Sequence, residues 1–157
     1  KNIKSKNIIC VAPDVGGTER ARALGKILNV ELAIVDKRRP KPGQSKVMNV
    51  IGDVNDKTCI IVDDIIDSGG TIINAAKALK DRGAKDVYVY ITHGVLSGDA
   101  IDKIKNSVIK KLVITDTIDI QDKINKAKNI EVLPISTLMG EAIKRISNST
   151  SVSDLFK

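Results

Sequence analysis

Aromatic residues are nearly missing from this chain. Its 157 residues hold no tryptophan, two tyrosines (Tyr88 and Tyr90) and one phenylalanine, Phe156. Binding of single-stranded nucleic acid relies on stacking bases against aromatic rings, so a formal net charge of +7 does not by itself make a nucleic-acid binder. Long apolar runs are absent too. None approaches the roughly 18 residues that a membrane-spanning helix requires, and no secretory signal pattern opens the chain. Cysteine occurs only as Cys10 and Cys59, with no metal-ligand spacing between them. Each sits in an apolar, strand-like run, which reads as a buried free thiol in a reducing cytosol, with a disulfide as the alternative. These scarcities argue against nucleic acid and a membrane as partners, and for a cytoplasmic protein.

What is present describes a globular domain. Hydrophobic residues make up 42% of the chain and charged residues 29%, a balance that supports one folded domain over residues 1–157 with a real core. The basic residues gather in one place: between positions 37 and 46 stand Lys37, Arg38, Arg39, Lys41 and Lys46 with no acid among them. Such a cluster suits small anions, or else is a solvated charge run. The first residue is Lys1 rather than methionine, so the chain is expected to begin inside a longer protein.

Strand-like and helix-like patterns alternate along the sequence. Strands are expected at 8–12, 31–35, 58–62, 87–92, 112–114 and 130–133, with a short extra one at 47–51. Between them, Ala21, Leu24, Gly25 and Leu28 share one helix face, and Ile72, Ala75, Ala76 and Leu79 another, stopped by Gly83. Ser97 is expected to cap a helix carrying Ile101 and Ile104, and a last helix presents Met139, Ala142, Ile143 and Ile146. This alternation predicts an α/β fold with a doubly wound, largely parallel sheet. In such a sheet ligands collect at the carboxyl ends of the strands.

The densest chemistry lies at residues 59–72. An apolar run ends in Asp63 and Asp64, and a short loop follows with Asp67, Ser68, Gly69, Gly70 and Thr71 before a helix pattern begins. Glycines let backbone N–H groups approach a phosphate closely, and a helix N-terminus adds about half a positive charge. The adjacent acids can accept hydrogen bonds from ribose hydroxyls or hold Mg2+ through water. The plainer reading, a turn in which Asp67 or Ser68 caps the helix, leaves the acidic pair without a purpose. Asp14, before Gly16 and Gly17, is a further strand-end acid that could equally be a turn residue or cap. His93 reads as a hydrogen-bonded histidine and the segment 97–99 as helix capping.

Residues 59–72 resemble the phosphoribosyl diphosphate binding motif of type I phosphoribosyltransferases and phosphoribosyl diphosphate synthetases. Other segments resemble the synthetase family in particular. They are Pro13-Asp14-Val15-Gly16-Gly17 with Arg20-Ala21-Arg22, Asp36-Lys37-Arg38-Arg39-Pro40, residues 92–98 and residues 151–156. They run in the family's order, cover essentially the whole chain and match the C-terminal half of that enzyme. Ala12 stands where the family often has serine, and Asp154 occupies a variable position of the tail.

The resemblance implies a type I phosphoribosyltransferase fold and a diphosphoryl transfer from ATP to the C1 hydroxyl of ribose 5-phosphate, giving phosphoribosyl diphosphate. It makes Lys37 and Arg39 catalytic, on a loop that closes over the phosphates, with Arg39 also reaching the ribose 5-phosphate. Asp67, Ser68, Gly69, Gly70 and Thr71 then hold the 5-phosphate, with Asp67 ordering the loop amides, while Asp63 and Asp64 bind the ribose hydroxyls. Asp14 positions Mg2+, and Ser151 and Ser153 match a regulatory phosphate or ADP site. A homo-oligomer, a hexamer in the intact enzyme, is also implied. The family's N-terminal half, which supplies most adenine contacts, has no counterpart here, so the chain alone is expected to be inactive. Two rivals remain: a phosphoribosyltransferase, and a non-catalytic regulatory subunit that binds ribose phosphates.

Overall fold

The computed structural model describes residues 7–38, 47–124 and 127–156. Seven strands form one sheet: β1 (Ile8–Ala12), β2 (Leu32–Arg38), β3 (Val47–Ile51), β4 (Thr58–Ile66), β5 (Asp86–Gly94), β6 (Lys111–Thr115) and β7 (Ile130–Leu133). Their spatial order is β3-β2-β1-β4-β5-β6-β7. Every pair is parallel except β2 with β3, which run antiparallel at one edge. The chain winds outward from β1 to β2 and then restarts on the other side with β4. That reversal opens a crevice at the carboxyl ends of β1 and β4, where a parallel sheet binds its ligands.

Two helices cover one face. From α2 (Gly70–Asp81) come the buried Ile72, Ala75, Ala76 and Leu79, and from α3 (Ala100–Lys105) come Ala100 and Ile104. They meet Ile9, Val11, Ile61, Val87, Val89, Leu112 and Ile114 in the main core. The other face holds a smaller cluster of Ala12, Ala21, Ile60 and Val62, to which α1 (Thr18–Leu28) contributes Ala21 and Leu24. A long strip of apolar surface on this face remains open as a cavity of about 620 Å³. Helix α5 (Ser136–Ser147) buries no residue; Met139, Ile143 and Ile146 are at least half exposed.

Cys10 and Cys59 are free and buried, which decides against the disulfide. Burial pushes the Cys59 thiol up to about 12.

Several boundaries differ from the sequence reading. Strand β2 extends three residues beyond Val35, because Asp36, Lys37 and Arg38 pair with Asn49, Met48 and Val47 of β3. Lys37 therefore sits on a paired strand end, not in the loop. Strands β4 and β5 also run on, to Ile66 and Gly94, held by the pairing of Ile65 with His93 and Ile66 with Gly94. Ser97 does not cap α3 through its side chain; its carbonyl accepts the Ala100 N–H, and Asp99 takes the N-cap position and pairs with Lys103. A one-turn helix α4 (Gln121–Ile124) and a 3-10 turn at Ser153–Phe156 had no periodic signal long enough to announce them.

Candidate functional site

The phosphate-type loop spans the short gap between β4 and α2. Gly69 adopts φ 77°, a left-handed conformation that only glycine takes without strain, and turns the chain sharply into the helix. No side chain caps the N-terminus of α2, so neither Asp67 nor Ser68 plays that part. The first-turn amides of an uncapped helix point outward as donors, and the dipole favours an anion before them. Asp67, Ser68, Gly70 and Thr71 are exposed around this opening, while Gly69 is buried beneath it. Asp67 does not hydrogen-bond to the loop amides as expected; the loop's shape comes from the Gly69 backbone and the elements beneath it.

Asp63 and Asp64 stand just before the loop on β4. Both carboxylates meet one guanidinium: Arg20 Nη1 lies 2.5 Å from Asp63 Oδ1, and Nη2 lies 2.9 Å from Asp64 Oδ2. Asp63 Oδ1 also accepts the Asp64 backbone N–H at 3.0 Å. The two acids thus titrate as a pair. Burial raises the pKa of Asp63 and outweighs its hydrogen bond from the Asp64 amide and the attraction of Arg20. For Asp64 burial also acts upward, but the Arg20 charge and the hydrogen bond with Asp63 prevail and the pKa is lowered. Each carboxylate keeps one oxygen outside these contacts with Arg20, available to a hydroxyl or a hydrated cation.

Arg20 had appeared in the sequence only as part of a resembling segment, with no role. Nothing local could have revealed its partners, since they lie 43 and 44 positions away. The first turns of α1 bring it to the β4 edge across the crevice.

Asp14 enters the same crevice from the end of β1. Its Oδ1 accepts the Gly17 N–H at 2.9 Å, so it fulfils the turn reading, while α1 has no side-chain cap; its second oxygen lies outside this bond. Among the described residues no group of three or more His, Cys, Asp or Glu side chains is arranged to hold a metal. Asp14, Asp63 and Asp64 stand at the carboxyl ends of neighbouring strands, and a magnesium ion held there would keep most of its ligands as water and phosphate. They do not suit a closed, all-protein cage.

The remaining candidates lie elsewhere. Lys37 is placed on β2 by its backbone, and Arg39 lies outside the described residues. His93 is hydrogen-bonded through Nδ1 to Thr117 Oγ1 at 2.9 Å, in keeping with its plainer reading. Ser151 and Ser153 do share one side: their hydroxyl oxygens are 2.8 Å apart. Arg145 holds this tail by donating from Nη1 to the Ser151 carbonyl at 2.9 Å.

Comparison with known proteins shows the family and the fold. The chain is 60% identical over 152 residues to the ribose-phosphate pyrophosphokinase of Bradyrhizobium diazoefficiens, covering 97% of this chain and 48% of that protein. It superposes on the crystal structure of phosphoribosylpyrophosphate synthetase from Mycobacterium smegmatis with a TM-score of 0.82 and 35% identity, over 91% of this chain and 46% of that one. Adenine phosphoribosyl transferase from Trypanosoma brucei shares the fold at a TM-score of 0.56 and 15% identity, over 86% of this chain and 59% of that one. The chain spans about half the length of the curated relatives it matches. The family model for the phosphoribosyl synthetase-associated domain matches residues 37–157. With an acidic pair and an uncapped glycine loop at the carboxyl edge of a type I phosphoribosyltransferase sheet, the chain belongs to the phosphoribosyl synthetase-associated domain family.

Proposed function

We propose that this chain is the ribose-phosphate-binding half of a cytoplasmic ribose-phosphate diphosphokinase, which moves the diphosphoryl group of ATP onto C1 of ribose 5-phosphate. The observation that carries the reading is the open N-terminus of α2 beside the Asp63–Asp64 pair. The 5-phosphate sits against the amides of residues 69–71 and the Ser68 and Thr71 hydroxyls, and the ribose hydroxyls donate to Asp63 and Asp64. That orientation leaves C1 facing the crevice between β1 and β4. Asp14 and the acidic pair would hold Mg2+, and the ion when bound would neutralise charge on the transferring phosphates.

Attack at the β-phosphorus places negative charge on the transferred group and on leaving AMP. Lys37, on β2, and Arg39, two positions further along the sequence, are the cations assigned to meet it. Ser151 and Ser153 form the regulatory anion site, in an assembly built as a homohexamer.

A phosphoribosyltransferase would use the same loop, but the Lys-Arg-Arg segment and the tail fit the synthetase better. Calorimetry on the purified chain tests the core of the reading: ribose 5-phosphate should bind, and bind more tightly with Mg2+ present. Folded protein that takes up no ribose phosphate under either condition would refute it.

A further inference from the structure

We propose that Leu96 is a positioning residue that fastens the phosphate loop from below. This rests on the reading of residues 67–71 as an anion site. The carbonyl of Ile66, the residue immediately before the loop, accepts two backbone N–H groups from the exit of β5: Val95 at 3.0 Å and Leu96 at 3.2 Å. The first continues the parallel ladder after the Ile66–Gly94 pair, and the second is an additional bond that the ladder does not require.

To make it, Leu96 adopts φ 48°, in the left-handed region. The other described non-glycine residues at positive φ are Asn29, Asp56 and Ser149, all short and polar. Leucine has no side-chain hydrogen bond to offset that conformation, so its surroundings must impose it. They do: Leu96 is 2% exposed and belongs to the main core. Burying its side chain drives the backbone into the turn that aims its N–H at Ile66.

Two neighbours reinforce the fastening. Ile104 of α3, the helix that follows this turn, lies directly beneath Gly69; a Cβ on Gly69 would stand 3.7 Å from Ile104 Cδ1. Gly94 lets β5 approach β6 so closely that a Cβ there would fall 2.6 Å from Ile114 Cδ1. The loop's upper surface thus faces the ligand, while Gly69 on its lower side packs over Ile73 and Ile104 and its entry at Ile66 is tied to the backbone of Val95 and Leu96. This arrangement accounts for the loop's order without the Asp67 side chain. It also assigns a purpose to residues 94–96, which precede the capping segment at 97–99.

The test uses the whole chain and two readouts. Leu96→Ala should accelerate hydrogen exchange of the Ser68–Thr71 amides relative to those at the centre of β4, in the absence of any ligand. It should also weaken ribose 5-phosphate binding by about tenfold, equivalent to about 1.4 kcal/mol, through the loosened loop. Leu96→Met, which keeps volume and burial, should restore both. Leu96→Gly, which accepts the left-handed backbone without strain but lacks the anchor, should behave like alanine and serves if the alanine variant does not fold. Uniform exchange changes across core and loop, or unaltered loop exchange, would overturn the proposal. If wild type binds no ribose phosphate, the anion-site reading falls, while the exchange measurement still decides whether Leu96 fastens the loop.

Discussion

Arg20 is the residue on which the electrostatics of the site turn. Its guanidinium spans two carboxylates whose side chains are 19% and 60% exposed, and adjacent acids of this kind repel one another strongly without a cation between them. Replacing it by leucine, Arg20→Leu, should therefore raise both pKa values and make protonation of the pair compete with ligand binding. The sign follows from the two shifts. A lowered Asp64 contributes stability above its unfolded value that is lost as pH falls through its folded value. A raised Asp63 acts oppositely, its contribution lost as pH rises from the unfolded to the folded value. In wild type the two act in opposite directions; in the variant both act as raised acids. Ribose 5-phosphate affinity followed from about pH 4 to 7 should fall off at a higher pH in Arg20→Leu than in wild type. Superimposable profiles would mean that the ion pair is a surface contact of little consequence.

At the scale of elements, the two amphipathic helices α2 and α5 have similar sequence patterns and very different roles. Leu79 of α2 is fully buried, whereas Ile143 of α5 is 62% exposed. Truncating the first leaves a cavity; truncating the second removes surface already in water. Leu79→Ala should cost about 2–5 kcal/mol and Ile143→Ala within about 0.5 kcal/mol, compared by denaturant unfolding of the chain. A large loss at Ile143 would show that α5 is packed in solution. Both helices are equally apolar on one side, so periodicity alone cannot separate them. Only the sheet face that each meets, or fails to meet, distinguishes core from surface.

For the whole molecule, the decisive fact is that the chain spans about half of the relatives it resembles. On the proposed reading it carries the sugar-phosphate half of a transfer site, with the acidic pair and the loop on one edge. Phosphoryl transfer depends chiefly on holding both reactants in line, and good orientation is worth roughly 7–11 kcal/mol over free encounter. A chain that places only one reactant forfeits much of that. Purified chain should release AMP from ATP and ribose 5-phosphate far more slowly than a full-length relative assayed alongside. Turnover within about tenfold of that relative would place the ATP contacts in this half instead, since tenfold is only about 1.4 kcal/mol of barrier.

The sequence by itself determined the order of the seven strands and of α1, α2, α3 and α5, the α/β class and the motif at residues 59–72, because hydrophobic period and glycine placement are local properties. It also marked the acidic pair, since neighbouring acids at the end of an apolar run have few structural uses. What tertiary structure decided is everything set by residues distant in the chain. Arg20 meets Asp63 and Asp64 only because β1 and β4 lie side by side. Lys37 leaves the loop for a strand only because β3 returns antiparallel to pair with it. Leu96 accepts a left-handed backbone only because a core surrounds its side chain. In each case the controlling energy is a long-range contact between elements, and no periodicity within a short window contains it.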